Sequence, residues 1–168
     1  MSSVPSEITI RRAVPAEAAE LLALIRRAMA VYARNSGIET PLDSELETVA
    51  DLRVHIAQDD VLVAEQEGRL IGTVRLVRQN HDTAWFTRFA VSPDRQRAGV
   101  GQMLFQAAEN GLRQSGCSQV LLHTALSNLP LVAFYQTRGF SLIDTSHERG
   151  YPRGLFIKQL DGSVPRGC

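Results

Sequence analysis

One stretch governs what this chain can fold into. It reads as a strand over residues 85–91, a turn opened by Ser92, Pro93 and Asp94, a helix running to residue 114, and a strand over 120–124. A strand–helix–strand crossover favours parallel pairing of its two strands, since antiparallel neighbours need only a short turn. The turn also carries a chemical signal. Glycines at 99 and 101 space the start of the helix, where the first N–H groups lack intrahelical partners and the dipole favours negative charge. Without side chains there, a large anion can approach the backbone. Gln96, Arg97, Ala98, Gly99, Val100, Gly101 and Gln102 therefore read as a phosphate cradle.

Two common cradles are excluded. A nucleoside-triphosphate loop places a lysine directly after its last glycine, and the only lysine here is Lys158. A dinucleotide fingerprint spaces its glycines G-x-G-x-x-G, which Gln96-x-x-Gly99-x-Gly101 does not match. An ordinary tight strand-to-helix turn is the plainer alternative. A second segment follows the 120–124 strand. Asn128 precedes Pro130, which suits the first turn of a helix; Tyr135 lies near that helix's end, and Gly139-Phe140 stops it. In this order the two segments resemble the signature of the GNAT N-acetyltransferase family. Leu131 departs from it, standing where many members carry a small alanine.

The resemblance implies a fold and a chemistry. The fold is the α/β (α+β) acyl-CoA N-acyltransferase (GNAT) fold, a mixed, mostly antiparallel sheet whose two parallel central strands splay apart. The pantetheine arm of acetyl-CoA enters that gap. Carried onto this chain, the backbone of Phe89, Ala90 and Val91 pairs with the pantetheine amides, as an added strand would. An N–H near Val91 polarises the acetyl carbonyl, and the N–H groups from Arg97 to Gln102 hold the pyrophosphate. Asn128 bonds the pantetheine, although asparagine equally suits a helix cap. Tyr135 stands beside the sulfur as proton donor to the departing thiolate; a core aromatic beside Phe134 and Phe140 is the alternative.

The general base is less evident. Family members often carry a glutamate on the strand before the cradle, and here Ala84, Trp85, Phe86, Thr87, Arg88 and Phe89 include no carboxylate. His123 is the nearest candidate that titrates near neutral pH, with a satisfied core histidine as the alternative. His81 and Asp82 lie at the far end of their strand, and a water chain to solvent also serves. For the acceptor, the resemblance points to segments 35–45 and 145–153. Glu39, Asp43 and Glu45 attract a cationic amine; Arg75 and Arg88, on neighbouring strands, grip a carboxylate if they face the cleft. A zwitterion satisfies both.

The remaining elements follow from periodicity. Residues 8–12 form a strand, and 15–34 a helix with Leu21, Leu22, Ile25, Ala28, Met29 and Tyr32 on one stripe. A second helix starts at Ser44 with a Ser44-x-x-Glu47 capping box and buries Leu46, Val49 and Ile56. Strands at 61–64 and 70–77 form a hairpin, and later strands fall at 140–145 and 155–160. The order is β-α-α-β-β-β-α-β-α-β-β, over a single domain at 5–160 with a polar, mobile tail at 161–168.

The chain of 168 residues suits one buried core. With 18 basic and 18 acidic residues it gives no electrostatic reason to bind nucleic acid or an anionic membrane. Cys117 and Cys168 form neither a disulfide framework nor a C-x-x-C metal spacing, and Cys117 reads as a small core residue. No metal is implied. Met1-Ser2-Ser3-Val4-Pro5 lacks a signal pattern, so a cytoplasmic protein is expected. The functional expectation is transfer of an acetyl group from acetyl-CoA to a primary amine, in a ternary complex and, by the resemblance, a homodimer. A protein N-terminal or side-chain acetyltransferase and a non-catalytic acyl-CoA sensor are the alternatives.

Overall fold

A computed structural model describes residues 6–96 and 98–160. Arg97 and the tail at 161–168 lie outside the described residues. The strands are β1 (Thr9–Arg12), β2 (Asp60–Gln66), β3 (Arg69–Arg78), β4 (Thr83–Val91), β5 (Gln119–Ala125), β6 (Ser141–Ser146) and β7 (Arg153–Gln159). The helices are α1 (Ala18–Ser36), α2 (Asp43–Leu46), α3 (Val49–Gln58), α4 (Val100–Gln114) and α5 (Leu129–Thr137). All seven strands join one sheet in the order β1-β2-β3-β4-β5-β7-β6.

Local chemistry explains most boundaries. Gly37, at φ 69°, stops α1 by donating to the carbonyls of Ala33 and Arg34. Glu67 and Gly68 both have positive φ, as a two-residue hairpin turn between β2 and β3 requires. The stripe on α1 buries Leu21, Leu22, Leu24 and Ile25, which pack with Leu52 of α3 on Val61, Val63 and Leu70. On α4, Val100, Leu104, Phe105, Ala108 and Leu112 pack on the sheet with Phe86, Phe140 and Phe156. Each of the larger of these side chains contributes on the order of 1.5–3 kcal/mol through burial. The buried, free thiol of Cys117 joins this second core.

The region after α1 departs from the sequence reading. The helix expected from Ser44 is split into the single turn α2 and the separate α3, and the capping box belongs to Thr48 and Asp51. The Asp51 N–H donates to Thr48 Oγ1 at 3.1 Å, and the Thr48 N–H donates to Asp51 Oδ2 at 3.0 Å. Leu46 is 76% exposed and Glu47 only 6%, the reverse of the expected pattern. The cause is electrostatic: the Glu47 carboxylate turns inward between two arginines instead of capping a helix.

The crossover behaves as its order requires. β4 and β5 are the sheet's only parallel neighbours among the described residues. They pair at Thr83 with Gln119, Ala84 with Val120 and Trp85 with Leu121, and no further. Beyond Trp85 the two strands part.

Candidate active site

The parting is accompanied by a defect in β4. Thr73 pairs with Ala90 and Arg75 with Thr87, so Arg88 and Phe89 together oppose Val74. This bulge puts Arg88 at φ 50°, a conformation that costs a non-glycine residue about 1–3 kcal/mol. The Arg88 side chain is held while it does so: its Nε donates to Glu47 Oε2 at 3.3 Å, and Arg75 Nη2 donates to Glu47 Oε1 at 2.7 Å. Arg75 is only 4% exposed, and its burial disfavours the guanidinium charge that Glu47 compensates. Arg75 lines neither cleft, so the condition under which it would grip a carboxylate is not met.

Two clefts open where the strands part. The larger, of about 590 Å³, runs to the start of α4 and is lined by Phe89, Ala90, Val91, Gln96, Gly99, Gly101, Gln102 and Asn128. Gly99 caps α4 at φ 79°, and intrahelical bonding begins with Met103 N–H donating to the Gly99 carbonyl at 3.1 Å. The N–H groups of Val100, Gly101 and Gln102 thus form the helix's unpaired first turn. The side chain of Val100 is in the core, so that residue offers the cleft only backbone; Ala98 is exposed outside the lining. Gly101 has a second reason to be glycine. A Cβ there would lie 2.9 Å from Phe89 Cζ, so its absence admits the Phe89 ring against the helix start.

Asn128 caps α5, its side chain accepting from Leu131 N–H at 3.3 Å, and also donates to Ser36 Oγ at 3.2 Å. Arg138 lines the same cleft, stacked 4.3 Å over the Phe134 ring, with its Nε buried and without a partner among the described residues. The sequence reading passed over Arg138 because it follows the helix that carries the motif.

The smaller cleft, of about 340 Å³, lies on the other side of the gap. Trp85, Arg88, His123 and Thr124 line it from the strands, Asp43 and Ser44 from α2, and Arg149, Tyr151 and Arg153 from the chain before and at the start of β7. Met29, Tyr32, Phe89 and Leu131 line both clefts, so the two volumes meet. Tyr32 fixes the junction from α1: its hydroxyl accepts from the Ala125 N–H at 2.8 Å, on the splayed end of β5.

Tyr135 lines the smaller cleft and is 5% exposed, packed against Phe89, Phe105 and Phe140. Burial, then the nearby Tyr32, raises its phenol well above the ordinary value, so it holds its proton throughout the neutral range. His123 is not a core residue. It is exposed in the cleft, its ring 5.1 Å from that of Trp85. Burial chiefly, then Arg153 and Arg149, lowers its pKa, leaving a neutral imidazole able to accept a proton. Asp43 is the lining's only carboxylate among the described residues, and Arg149 Nη1 donates to its Oδ2 at 2.6 Å. That bond is the main reason its carboxyl titrates below the ordinary range. Glu39 and Glu45 are exposed outside the cleft. His81 and Asp82 sit at the paired end of the strands, exposed, with only 3.2 Å between them.

Among the described residues, no cluster of His, Cys, Asp or Glu could hold a metal ion, and no helix is long and apolar enough to cross a membrane.

Comparison with known proteins agrees with this architecture. A sequence profile of the Acetyltransferase (GNAT) family matches residues 23–140. The crystal structure of PaiA N-acetyltransferase from Thermoplasma acidophilum in complex with coenzyme A superposes with a TM-score of 0.81 at 21% identity, covering 91% of this chain and 99% of that one. The mycothiol acetyltransferase of Saccharomonospora viridis is 40% identical over 55 residues, 33% of this chain and 18% of its own. The peptidyl-lysine N-acetyltransferase YiaC of Escherichia coli K12 is 29% identical over 90 residues, 54% of this chain and 56% of its own. The chain thus spans less than two thirds of either curated relative it matches.

Proposed function

The chain belongs to the acetyltransferase (GNAT) family, and on that premise we propose that it transfers an acetyl group from acetyl-CoA to the primary amine of a small molecule. The observation that carries this reading is the pair of clefts meeting at Met29, Tyr32, Phe89 and Leu131. A donor in one and an acceptor in the other reach each other only through the split in the sheet.

The larger cleft fits acetyl-CoA. The unpaired first turn of α4 and the Arg138 guanidinium, whose Nε has no partner among the described residues, are suited to its phosphates, and the Phe89 to Val91 backbone is suited to its amide-bearing arm. When bound, acetyl-CoA supplies an acyl group activated as a thioester. Tyr135 keeps a proton at its phenolic oxygen and delivers it to the departing sulfur. His123, neutral in the cleft, takes the proton that the acceptor ammonium must lose. Glu47 acts at one remove, by holding Arg88 in the bulge from which Phe89, Ala90 and Val91 continue.

The protein folds as one domain over the described residues and pairs with a second copy through the exposed outer edge of β6. Acetylation of a peptide lysine, the activity in the name of the 29% identical relative, is the second reading. The test is CoA release from acetyl-CoA across a panel of small amines and lysine peptides. Turnover with small amines supports the proposal, turnover confined to peptides supports the second reading, and tight CoA binding without turnover identifies a sensor.

A further inference from the structure

The acceptor cleft is unusual in its charge. Its ionisable lining includes the guanidiniums of Arg88, Arg149 and Arg153, against one carboxylate, that of Asp43. Two of the three are engaged: Arg88 with Glu47, which it shares with Arg75, and Arg149 with Asp43. The Arg153 guanidinium makes no hydrogen bond or ion pair with any described residue. An acceptor that brought only an ammonium would meet net repulsion here. One that also brought an anion would find an unengaged planar donor fork.

Strand register says how far apart the two charges sit. Arg153 pairs with Ala125 across β5 and β7, and His123 pairs with Leu155. His123 and Ala125 are two residues apart on one strand, so His123 and Arg153 are diagonal neighbours on the same face. Such neighbours are about 7–8 Å apart at the backbone, a span that places an imidazole and a guanidinium on either side of a small molecule. Two further lining residues, Ser44 and Thr124, bury hydroxyls that have no hydrogen-bond partner among the described residues. Polar groups left unpaired in this way are satisfied at low cost by a ligand with matching atoms.

We propose that the acceptor is a zwitterion of α-amino-acid type, its carboxylate held by Arg153 and its amine presented toward His123. This rests on the N-acetyltransferase reading and names the substrate class of the same site. Arg153 is then the residue that separates amino acids from plain amines, polyamines and peptide lysines. The cavity of about 340 Å³ accommodates one such molecule, and Trp85 and Leu122 offer its side chain an apolar wall.

The experiment compares acids with their own amides: L-leucine with L-leucinamide and L-phenylalanine with L-phenylalaninamide, with O-phosphoethanolamine as a different anion. Calorimetric binding to the CoA-saturated protein is measured alongside kcat/KM. A charge-assisted, forked contact predicts that the acids bind and react about 10- to 100-fold better than the amides. Arg153→Ala removes that preference while leaving the KM for acetyl-CoA and the thermal midpoint unchanged, and Arg153→Lys restores part of it. Amides that bind as well as acids in the wild type overturn the proposal. A preference for the phosphate overturns the carboxylate assignment. Acid-selective binding without any turnover would leave this site standing and remove the acetyltransferase reading, so the two failures are distinguishable.

Discussion

In the proposed reaction Tyr135 and His123 do opposite work, and their surroundings divide it between them. The phenol is raised by burial, so removing its oxygen removes a proton that is always present. Tyr135→Phe keeps the packing against Phe105 and Phe140 and is expected to lower kcat about 100-fold, with CoA affinity nearly unchanged. Rapid-mix kinetics beside CoA titration checks this, and a kcat near the wild-type value would make Tyr135 a packing residue. The imidazole is depressed instead, so the neutral base persists until the pH falls below the ordinary histidine value. The acid limb of kcat/KM therefore lies below that value, and His123→Gln abolishes the limb along with most of the rate. Arg153→Ala moves the limb only part of the way back, since burial is the larger cause. At this scale, what could be read from sequence was what is local. Gly99, Gly101 and Tyr135 sit in motifs whose spacing alone suggested the roles proposed for them. The roles proposed for Arg138 and Arg153, like the contact of Tyr32 with β5, depend on distant strands and helices meeting, and no spacing records that.

Among the elements, the short link from α2 to α3 carries a buried carboxylate that serves two arginines. Glu47 compensates Arg75, buried at 4% exposure, and restrains Arg88 at its positive φ. Glu47→Ala strands a buried guanidinium and is expected to cost about 3–5 kcal/mol of stability, measured by urea unfolding. Glu47→Gln, which keeps an acceptor for Arg75, falls between the two. A loss below about 1 kcal/mol would mean that solvent reaches Arg75 and that the pair is worth no more than a surface one. This element was also the one misread from sequence. Ser44-x-x-Glu47 and Thr48-x-x-Asp51 are both capping boxes on paper, four residues apart. What decides between them is the pair of arginines on β3 and β4, which a local pattern cannot include.

For the whole molecule, the crossover at residues 85–124 pointed to the parallel pair, and the resemblance carried by the two motifs implied the fold class that the seven-stranded mixed sheet shows. The insertion of β7 between β5 and β6 is a long-range arrangement that no local signal marks. It leaves β6 as an outer edge with Leu142 43% and Ile143 52% exposed. Unprotected apolar edges of this kind invite pairing. Static light scattering at micromolar concentration is expected to give the mass of two chains, and Ile143→Lys the mass of one. A wild-type monomer would count against pairing through β6.

The seam between β4 and β5 is three residue pairs wide, narrower than any other in the sheet. Mechanically, the sheet is two plates riveted at one end, and in the proposed complex the substrate arm supplies the missing rivets. Amides of residues 87–91 and 122–124 should then exchange with deuterium fastest without CoA and slow most when it is added, while those of β2 and β3 change little. Equal slowing everywhere would mean that the plates already move as one. If the exchange follows that pattern, the stiffness of this protein becomes a reading of how much acyl donor surrounds it, softest where the strands part when supply runs out.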